Sequence, residues 1–504
     1  MGIVSHSYLT ARKVPKSTFT YSSPVASLVP SDNSQLTSDS QHLGESEAMN
    51  ESSGNAGSTY LVWRTLVDMS CEWISVDQYV ILATDYISEL TLSTWVYLLA
   101  TSALLLLAVK YIVMPINWVK DLSEVGYDCM LENGISAGRR RGKSKRELVK
   151  EIRHQRQVGT LPPVYPNGWF VLLESDDLRA GQVKHVAALG ENFAIFRTQE
   201  GVAHVLNAYC PHLGANMGVG GSVHGDCLEC PFHSWRFSGV DGKCTSISYS
   251  EKVPEFARVK KWTSYEVNSF IFIWFHAENE EPTWYPEPIQ PIQEKKWVYR
   301  GRNEFYVNSH IQEIPENGGD VAHLAAVHGP SIFNGSDLRL GQRLLWSFTH
   351  HEWVAKWDPN TEPGKTHTAT MLLKHEIRFF NKISLIGMDV RAEQIGPSYV
   401  ELHMETSFGK MILLQCITPL EPMLQKVVHR LYCPPLLYLY GSIVIWGESI
   451  MFERDVMVWN HKTYIEKPLL VREDRNIARH RRWYSQFYTE HSPRFTFQKE
   501  SLDW

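Results

Sequence analysis

The hydrophobic pattern changes in steps along the chain. Ser22 to Ser58 is rich in Ser, Asn, Asp and Gly and too poor in apolar residues to repay the entropy of ordering, so residues 1–60 are expected to be disordered. From Leu90 to Val109 no residue is charged, and after Lys110 the apolar run resumes to Met114. At 1.5 Å per residue, about twenty helical residues cover roughly 30 Å, the thickness of a hydrocarbon core. Residues 90–114 are therefore expected to form a transmembrane helix, with Trp95, Tyr97, Tyr111 and Trp118 as interfacial aromatics, the alternative being a buried core helix. Beyond about Thr160 the texture becomes short aromatic and β-branched runs cut by Gly, Asn and Asp. Phe193-Ala-Ile-Phe196 and Phe270-Ile-Phe-Ile-Trp-Phe275 are examples, and they predict a small all-β domain over residues 161–285. Residues 286–504 mix strand-like stretches such as Tyr399–Met404 with at least one helix carrying histidines. The uncharged run Leu431–Trp446 reads as a buried helix or a membrane-dipping entrance, because as a second span it would separate the residues on its two sides.

Charge gives the apolar span a direction. Glu72, Asp77, Asp85 and Glu89 precede it, in a flank over residues 61–89. Lys120 and the run Arg139, Arg140, Arg141, Lys143, Lys145, Arg146, Lys150, Arg153 and Arg156 follow it. The bias of positive charge towards the cytosol makes residues 61–89 lumenal, residues 115–160 a basic juxtamembrane linker on anionic headgroups, and everything after Met114 cytosolic. The overall net charge of −6, from 49 basic and 55 acidic residues, argues against a globally basic nucleic-acid binder. Eight cysteines are too sparse for a disulfide scaffold, yet Cys210, Cys227, Cys230 and Cys244 fall close together, which suggests a metal site.

Cys210-Pro-His212 is followed after seventeen residues by Cys230-Pro-Phe-His233. Two turns, each offering one thiolate and one imidazole, suit a tetrahedral zinc ion. The glycine-rich surroundings Leu213-Gly214, Gly218-Val-Gly220-Gly221 and Ser234-Trp235 instead resemble the Rieske pattern, in which two Cys hold one iron and two His the other. The resemblance implies a [2Fe-2S] cluster on Cys210, His212, Cys230 and His233. Ala215 and Phe232 stand where respiratory Rieske proteins carry an extra disulfide, so the chain resembles the oxygenase type.

Downstream lies Glu316-Asn-Gly-Gly-Asp320-Val-Ala-His323-Leu-Ala-Ala-Val-His328-Gly-Pro. Residues five apart sit about 140° apart on a regular helix, so His323 and His328 share an ion only if the helix stops or bulges near His328, which Gly329-Pro330 permits. Two His and one carboxylate form the facial triad of non-haem Fe(II) oxygenases; two solvated surface histidines are the alternative. Following a Rieske motif, the Asn-x2-Asp-x2-His-x4-His pattern resembles the Rieske oxygenases at Asn317, Asp320, His323 and His328. The resemblance gives Asp320 a bridging role between a cluster His of one subunit and an iron-bound His of its neighbour. It also gives the third iron ligand to the Phe452-Glu-Arg-Asp455 segment, with Asp455 first, Glu453 second and Asp389 a remoter candidate.

Together the span, basic segment, Rieske motif, triad and C-terminal segment resemble the Neverland family of animal cholesterol 7-desaturases over roughly residues 90 to 480. The implied fold class is α+β: an N-terminal transmembrane helix, an all-β Rieske domain, and a C-terminal antiparallel-sheet catalytic domain (286–504) with flanking helices. The implied activity is conversion of cholesterol to 7-dehydrocholesterol for ecdysteroid-type steroid hormones, using the [2Fe-2S] cluster, mononuclear Fe(II) and O2. Electrons come from NAD(P)H through a separate reductase, since the chain has no flavin or nicotinamide motif. The implied setting is the endoplasmic reticulum membrane, single-pass, as a head-to-tail homotrimer without nucleic acid. A membrane-anchored steroid or lipid hydroxylase and a Rieske electron carrier without catalytic iron are the rival readings.

Overall fold

The computed structural model describes residues 91–127, 142–340, 348–380 and 382–495. The expectations for residues 1–60 and 61–89, and for Arg139–Arg141, lie outside the described residues. Helix α1 (Leu92–Val113) covers the predicted span and, at 22 residues, is about 33 Å long. Apart from Thr94, every described side chain on it is exposed, including Leu92, Tyr97, Leu99 and Leu104–Leu107. Exposed apolar side chains along its length are not what a core helix presents.

Two residues after α1, strand β1 (Ile116–Lys120) joins the C-terminal domain. This departs from the expected linker over residues 115–160. The reason is local: β1 runs parallel to β12 (Val298–Val307), with Ile116 opposite Gly301, where the missing side chain admits the Ile116 backbone. A Cβ on Gly301 would stand 2.7 Å from the Ile116 carbonyl oxygen. Helix α2 (Lys145–Gln155) follows, opened by a Ser144/Glu147 capping box and packed through Val149. Part of the basic run is likewise used by the fold rather than left for headgroups. Arg156 donates to the carbonyls of Asn308, Lys462 and Trp459, the last at 3.0 Å, and Arg153 lies 3.6 Å from Glu421.

The all-β portion contains three small sheets. Strands β2 (Gly168–Glu174), β10 (Ser264–Val267) and β11 (Phe270–Phe275) form one; β3 (Val183–Ala188), β4 (Glu191–Arg197) and β5 (Ala203–Asn207) form the second. Strands β6 (Ser222–His224), β7 (Cys227–Glu229), β8 (Arg236–Ser238) and β9 (Cys244–Ser246) make the third. β11 is buried at every position, which explains why its sequence is continuously apolar rather than alternating.

The C-terminal portion is one eight-stranded sheet in the order β1-β12-β18-β17-β16-β15-β14-β13, antiparallel except for β1. Its remaining strands are β13 (Thr349–Pro359), β14 (Thr368–Phe379), β15 (Ile383–Ile395), β16 (Tyr399–Thr406), β17 (Gly409–Glu421) and β18 (Leu424–Cys433). Helices α3 (Val321–His328), α4 (Tyr438–Trp459) and α5 (Arg475–Tyr484) belong to the same portion. Helix α4 is apolar enough to cross a membrane by length and composition, but Ile445, Phe452, Val456 and Trp459 are buried, so it is a core helix on that side. The largest apolar cluster joins the two portions. Phe170, Phe193 and Ile271 from the first pack with Phe305, Ile417, Phe452 and Trp459 from the second.

Because a Cβ at Gly301 collides with backbone, Gly301→Val should detach or displace β1. Destabilisation of about 1–3 kcal/mol is expected from such overpacking, measurable as a lowered thermal midpoint of the detergent-solubilised protein.

Candidate functional site

Two turns of matched geometry carry the first ligand set. After Cys210, Gly214 takes φ +74° and its N–H donates to the Cys210 carbonyl at 2.9 Å; Cys210 N–H donates to Ala215 O at 2.9 Å. After Cys230, Ser234 takes φ +53°, its N–H donates to Cys230 O at 3.1 Å, and Cys230 N–H donates to Trp235 O at 2.8 Å. A left-handed residue thus reverses each loop and turns its thiol inward, at Gly without cost and at Ser with some strain. Cys210 and Cys230 are 3% and 2% exposed, and their thiols meet. Burial pushes the Cys210 thiol up to about 11, so thiolate here calls for a metal. The His212 and His233 rings lie 4.8 Å apart, with Trp235 stacked on His212 and bonded to the Tyr249 hydroxyl at 2.9 Å. Two buried thiols and two partly exposed imidazoles fit a Cys2His2 cluster. The surrounding Leu213, Val219, Phe232 and Tyr249 are exposed.

The second set forms where α3 meets α4. Asp320 caps α3, its Oδ1 accepting from His323 N at 3.3 Å, while its carbonyl accepts from the His323 ring at Nδ1 and leaves Nε2 for a ligand. The helix ends at His328, so the imidazole rings of His323 and His328 approach to 5.2 Å despite their spacing. Asp455 Oδ2 lies 3.2 Å from His328 Nε2. One donor atom from each of His323, His328 and Asp455 falls within 4.8 Å of the others. His328 Nδ1 is buried without a hydrogen-bond partner among the described residues. Two imidazoles and a carboxylate, with a buried polar atom left over, fit a hard-to-borderline divalent ion such as iron.

Arg454, 1% exposed, fixes this meeting. Its guanidinium donates to Pro330 O at 2.8 Å, Ser331 O at 2.8 Å, Gly335 O at 2.9 and 3.0 Å, and Val327 O at 3.3 Å. The loop leaving His328 is therefore bound to the residue beside Asp455. Trp353 Nε1 donates to His328 O at 3.2 Å from the opposite side.

The other sequence candidates separate. Glu453 turns to Lys120 at 3.4 Å, and Asp389 sits on β15 opposite Lys374, so neither joins the two histidines. Asn317 lines a cavity of about 200 Å³ with His323 and Asp455. Most of its wall is apolar, including Leu324, Met371, Leu402, Phe452 and Trp459. Sequence reasoning missed Arg454 and the polar wall residues Glu448 and Gln415. Glu448 had a signal, being the lone charged residue between Leu431 and Phe452. Burial, with the charge of Asp455 adding to it, pushes the Glu448 carboxyl up to about 8.

A family model described as Rieske [2Fe-2S] domain matches residues 168–257, and one described as 3-Ketosteroid 9alpha-hydroxylase C-terminal domain matches residues 273–488. Those two modules, in that order, define a Rieske non-haem iron oxygenase, which works with a [2Fe-2S] cluster, a mononuclear iron and O2. The chain is 45% identical over 439 residues to cholesterol 7-desaturase nvd of Xenopus laevis, covering 84% of this chain and 94% of that protein. It is 45% identical over 383 residues to cholesterol 7-desaturase nvd of Drosophila melanogaster, covering 75% and 88%. A probable 3-ketosteroid-9-alpha-monooxygenase oxygenase component of Rhodococcus rhodochrous is 30% identical over 363 residues, covering 66% and 82%. The chain belongs to the cholesterol 7-desaturase family.

Asp455→Ala should remove one iron per chain while leaving the absorbance of the cluster unchanged; Cys210→Ser should abolish that absorbance. Arg454→Lys keeps the charge but not the fork of donors, and iron affinity should fall about 10–100-fold, measured by competition with a chelator.

Proposed function

We propose that the protein desaturates cholesterol to 7-dehydrocholesterol, an early step towards ecdysteroid-type hormones, with electrons from NAD(P)H through a separate reductase. The observation that carries this reading is the meeting of His323, His328 and Asp455 beside a largely apolar cavity that His323 and Asp455 line, in a chain close to proteins named cholesterol 7-desaturase. Two substrate hydrogens, two electrons from the reductase, two protons and one O2 balance to the alkene and two waters. Iron held by His323, His328 and Asp455, with the cluster on Cys210, His212, Cys230 and His233, supplies reductive O2 chemistry. The chain's own part is positional. Asp320 orients His323 through its carbonyl, Asn317 adds a polar group to the cavity, and Phe452 and Trp459 exclude water from it.

The substrate comes from the bilayer on this reading. Helix α1 is the single span, with the remaining domains on the cytosolic face of the endoplasmic reticulum. Arg300, stacked on Tyr438, donates to Met114 O at 3.0 Å and Tyr438 O at 2.7 Å, which puts the end of α1 beside the start of α4. There Leu436, Leu439 and Ile443 are exposed, and nearby Phe408 packs on Tyr440. Behind them Met388, Met404 and Met411 pack with Leu373 and Leu402, which also line the cavity. The cavity is smaller than the 300–1,000 Å³ or so typical of pockets for drug-sized ligands, and adaptable methionines suit a wall that opens for a sterol. Exposed apolar residues around the cluster suit a neighbouring subunit, so Asp320 bridges to the next protomer's cluster in a head-to-tail homotrimer.

Hydroxylation without desaturation is the second reading, favoured by the Rhodococcus monooxygenase relative. Incubating the full chain with a reductase, NAD(P)H, O2 and cholesterol should yield 7-dehydrocholesterol; an alcohol as sole product supports the hydroxylase instead. The protein should also stay in the membrane pellet through alkaline carbonate extraction, and its release would remove α1 from the role of anchor.

A further inference from the structure

One stretch of the cavity wall is polar in a way that metal binding does not explain. Helix α4 carries no charge from Tyr438 to Phe452 except Glu448. Seven residues are close to two turns, so Glu448 lies on the same face as Asp455 and about 10 Å from it along the axis. Both line the cavity. A quarter of the Glu448 side chain remains accessible, in keeping with a group that borders an internal space. Its Oε1 is 3.5 Å from Nδ1 of fully buried His429, whose Nε2 lies 3.0 Å from Oε1 of Gln415, another wall residue. Its Oε2 is buried and has no hydrogen-bond partner among the described residues. Burying a carboxyl with an empty oxygen is costly, and apolar residues at this position would pack without that cost.

We propose that Glu448, with Gln415 beside it, is the subsite that takes the sterol 3-hydroxyl and so sets which ring carbon faces His323, His328 and Asp455. The inference rests on the sterol reading above and adds the group that fixes orientation. In a 3-hydroxysterol the hydroxyl carbon and C7 lie on adjacent fused rings, four bonds apart, a span shorter than the offset between Glu448 and Asp455, so both ends of it fit between the two side chains. A hydroxyl both donates and accepts, so it pairs with the carboxyl whether that group is charged or neutral. A 3-O-methyl ether cannot donate and adds bulk where the carboxyl sits. Glu448 is a positioning residue in this account, because it touches the substrate away from the reacting carbon.

The test compares cholesterol with its 3-O-methyl ether, using full-length protein in detergent with a reductase. The unsubstituted protein should prefer cholesterol in kcat/KM by about 100-fold or more, as sites built around a hydroxyl do. Glu448→Leu should cut that preference to within a few-fold, mainly by raising KM for cholesterol, with iron content and cluster absorbance unchanged. Glu448→Gln, which still offers a donor and an acceptor, should keep most of the preference. Equal turnover of both sterols by the unsubstituted protein overturns the subsite without needing any variant. A Glu448→Leu protein that still discriminates also overturns it, while leaving the desaturase reading intact. Absence of turnover with every sterol would overturn that reading and the subsite together.

Discussion

The catalytic half depends on a buried guanidinium that, among the described residues, meets backbone carbonyls rather than a carboxylate fork. Arg454 spends its donors on the backbone carbonyls of Val327, Pro330, Ser331 and Gly335, all belonging to the end of α3 or the loop beyond it. Burial lowers its pKa to about 10, so it remains charged at neutral pH and keeps its hold on those oxygens. Removing the group would strand several carbonyls in the interior, where unpaired polar atoms are expensive. The consequence is geometric. Asp455 comes next in the chain, so the contact that fastens the loop also delivers the carboxylate to His328.

The two candidate ligand sets are assembled by different means. Cys210, His212, Cys230 and His233 come from two short turns of the same design, each closed by its own backbone hydrogen bonds. Their arrangement is decided locally, and a sequence pattern suffices to find it. His323, His328 and Asp455 come from two helices far apart in the chain, so their meeting depends on α4 lying against the sheet and on Arg454 fixing its rotation.

That difference explains what could be read in advance. The β domain, the apolar span, both histidine motifs and a stop or bulge of the helix near His328 follow from spacing, glycine positions and hydrophobic runs. Asp455 could be placed ahead of Glu453 and Asp389 only by family resemblance; in the structure the rotation of α4 turns Glu453 to Lys120, while Asp389 lies on β15 opposite Lys374. The strand within residues 115–160 escapes a sequence reading for a related reason. The pairing of β1 depends on the absence of a side chain at Gly301, a partner too remote in sequence for any local pattern to register. Arg153 and Arg156 escape it likewise, since a run of basic residues does not say which of its members find carbonyls or carboxylates within the fold.

The direct passage from α1 into β1 leaves almost no slack between the two. Arg300 adds a second fastening, gripping the last turn of α1 through Met114 and the first turn of α4 through Tyr438. One guanidinium thus ties the residue that follows α1 and the sheet edge formed by β1 to the helix that bears Asp455. Whatever displaces Met114 therefore meets the resistance of the sheet edge and of α4 together.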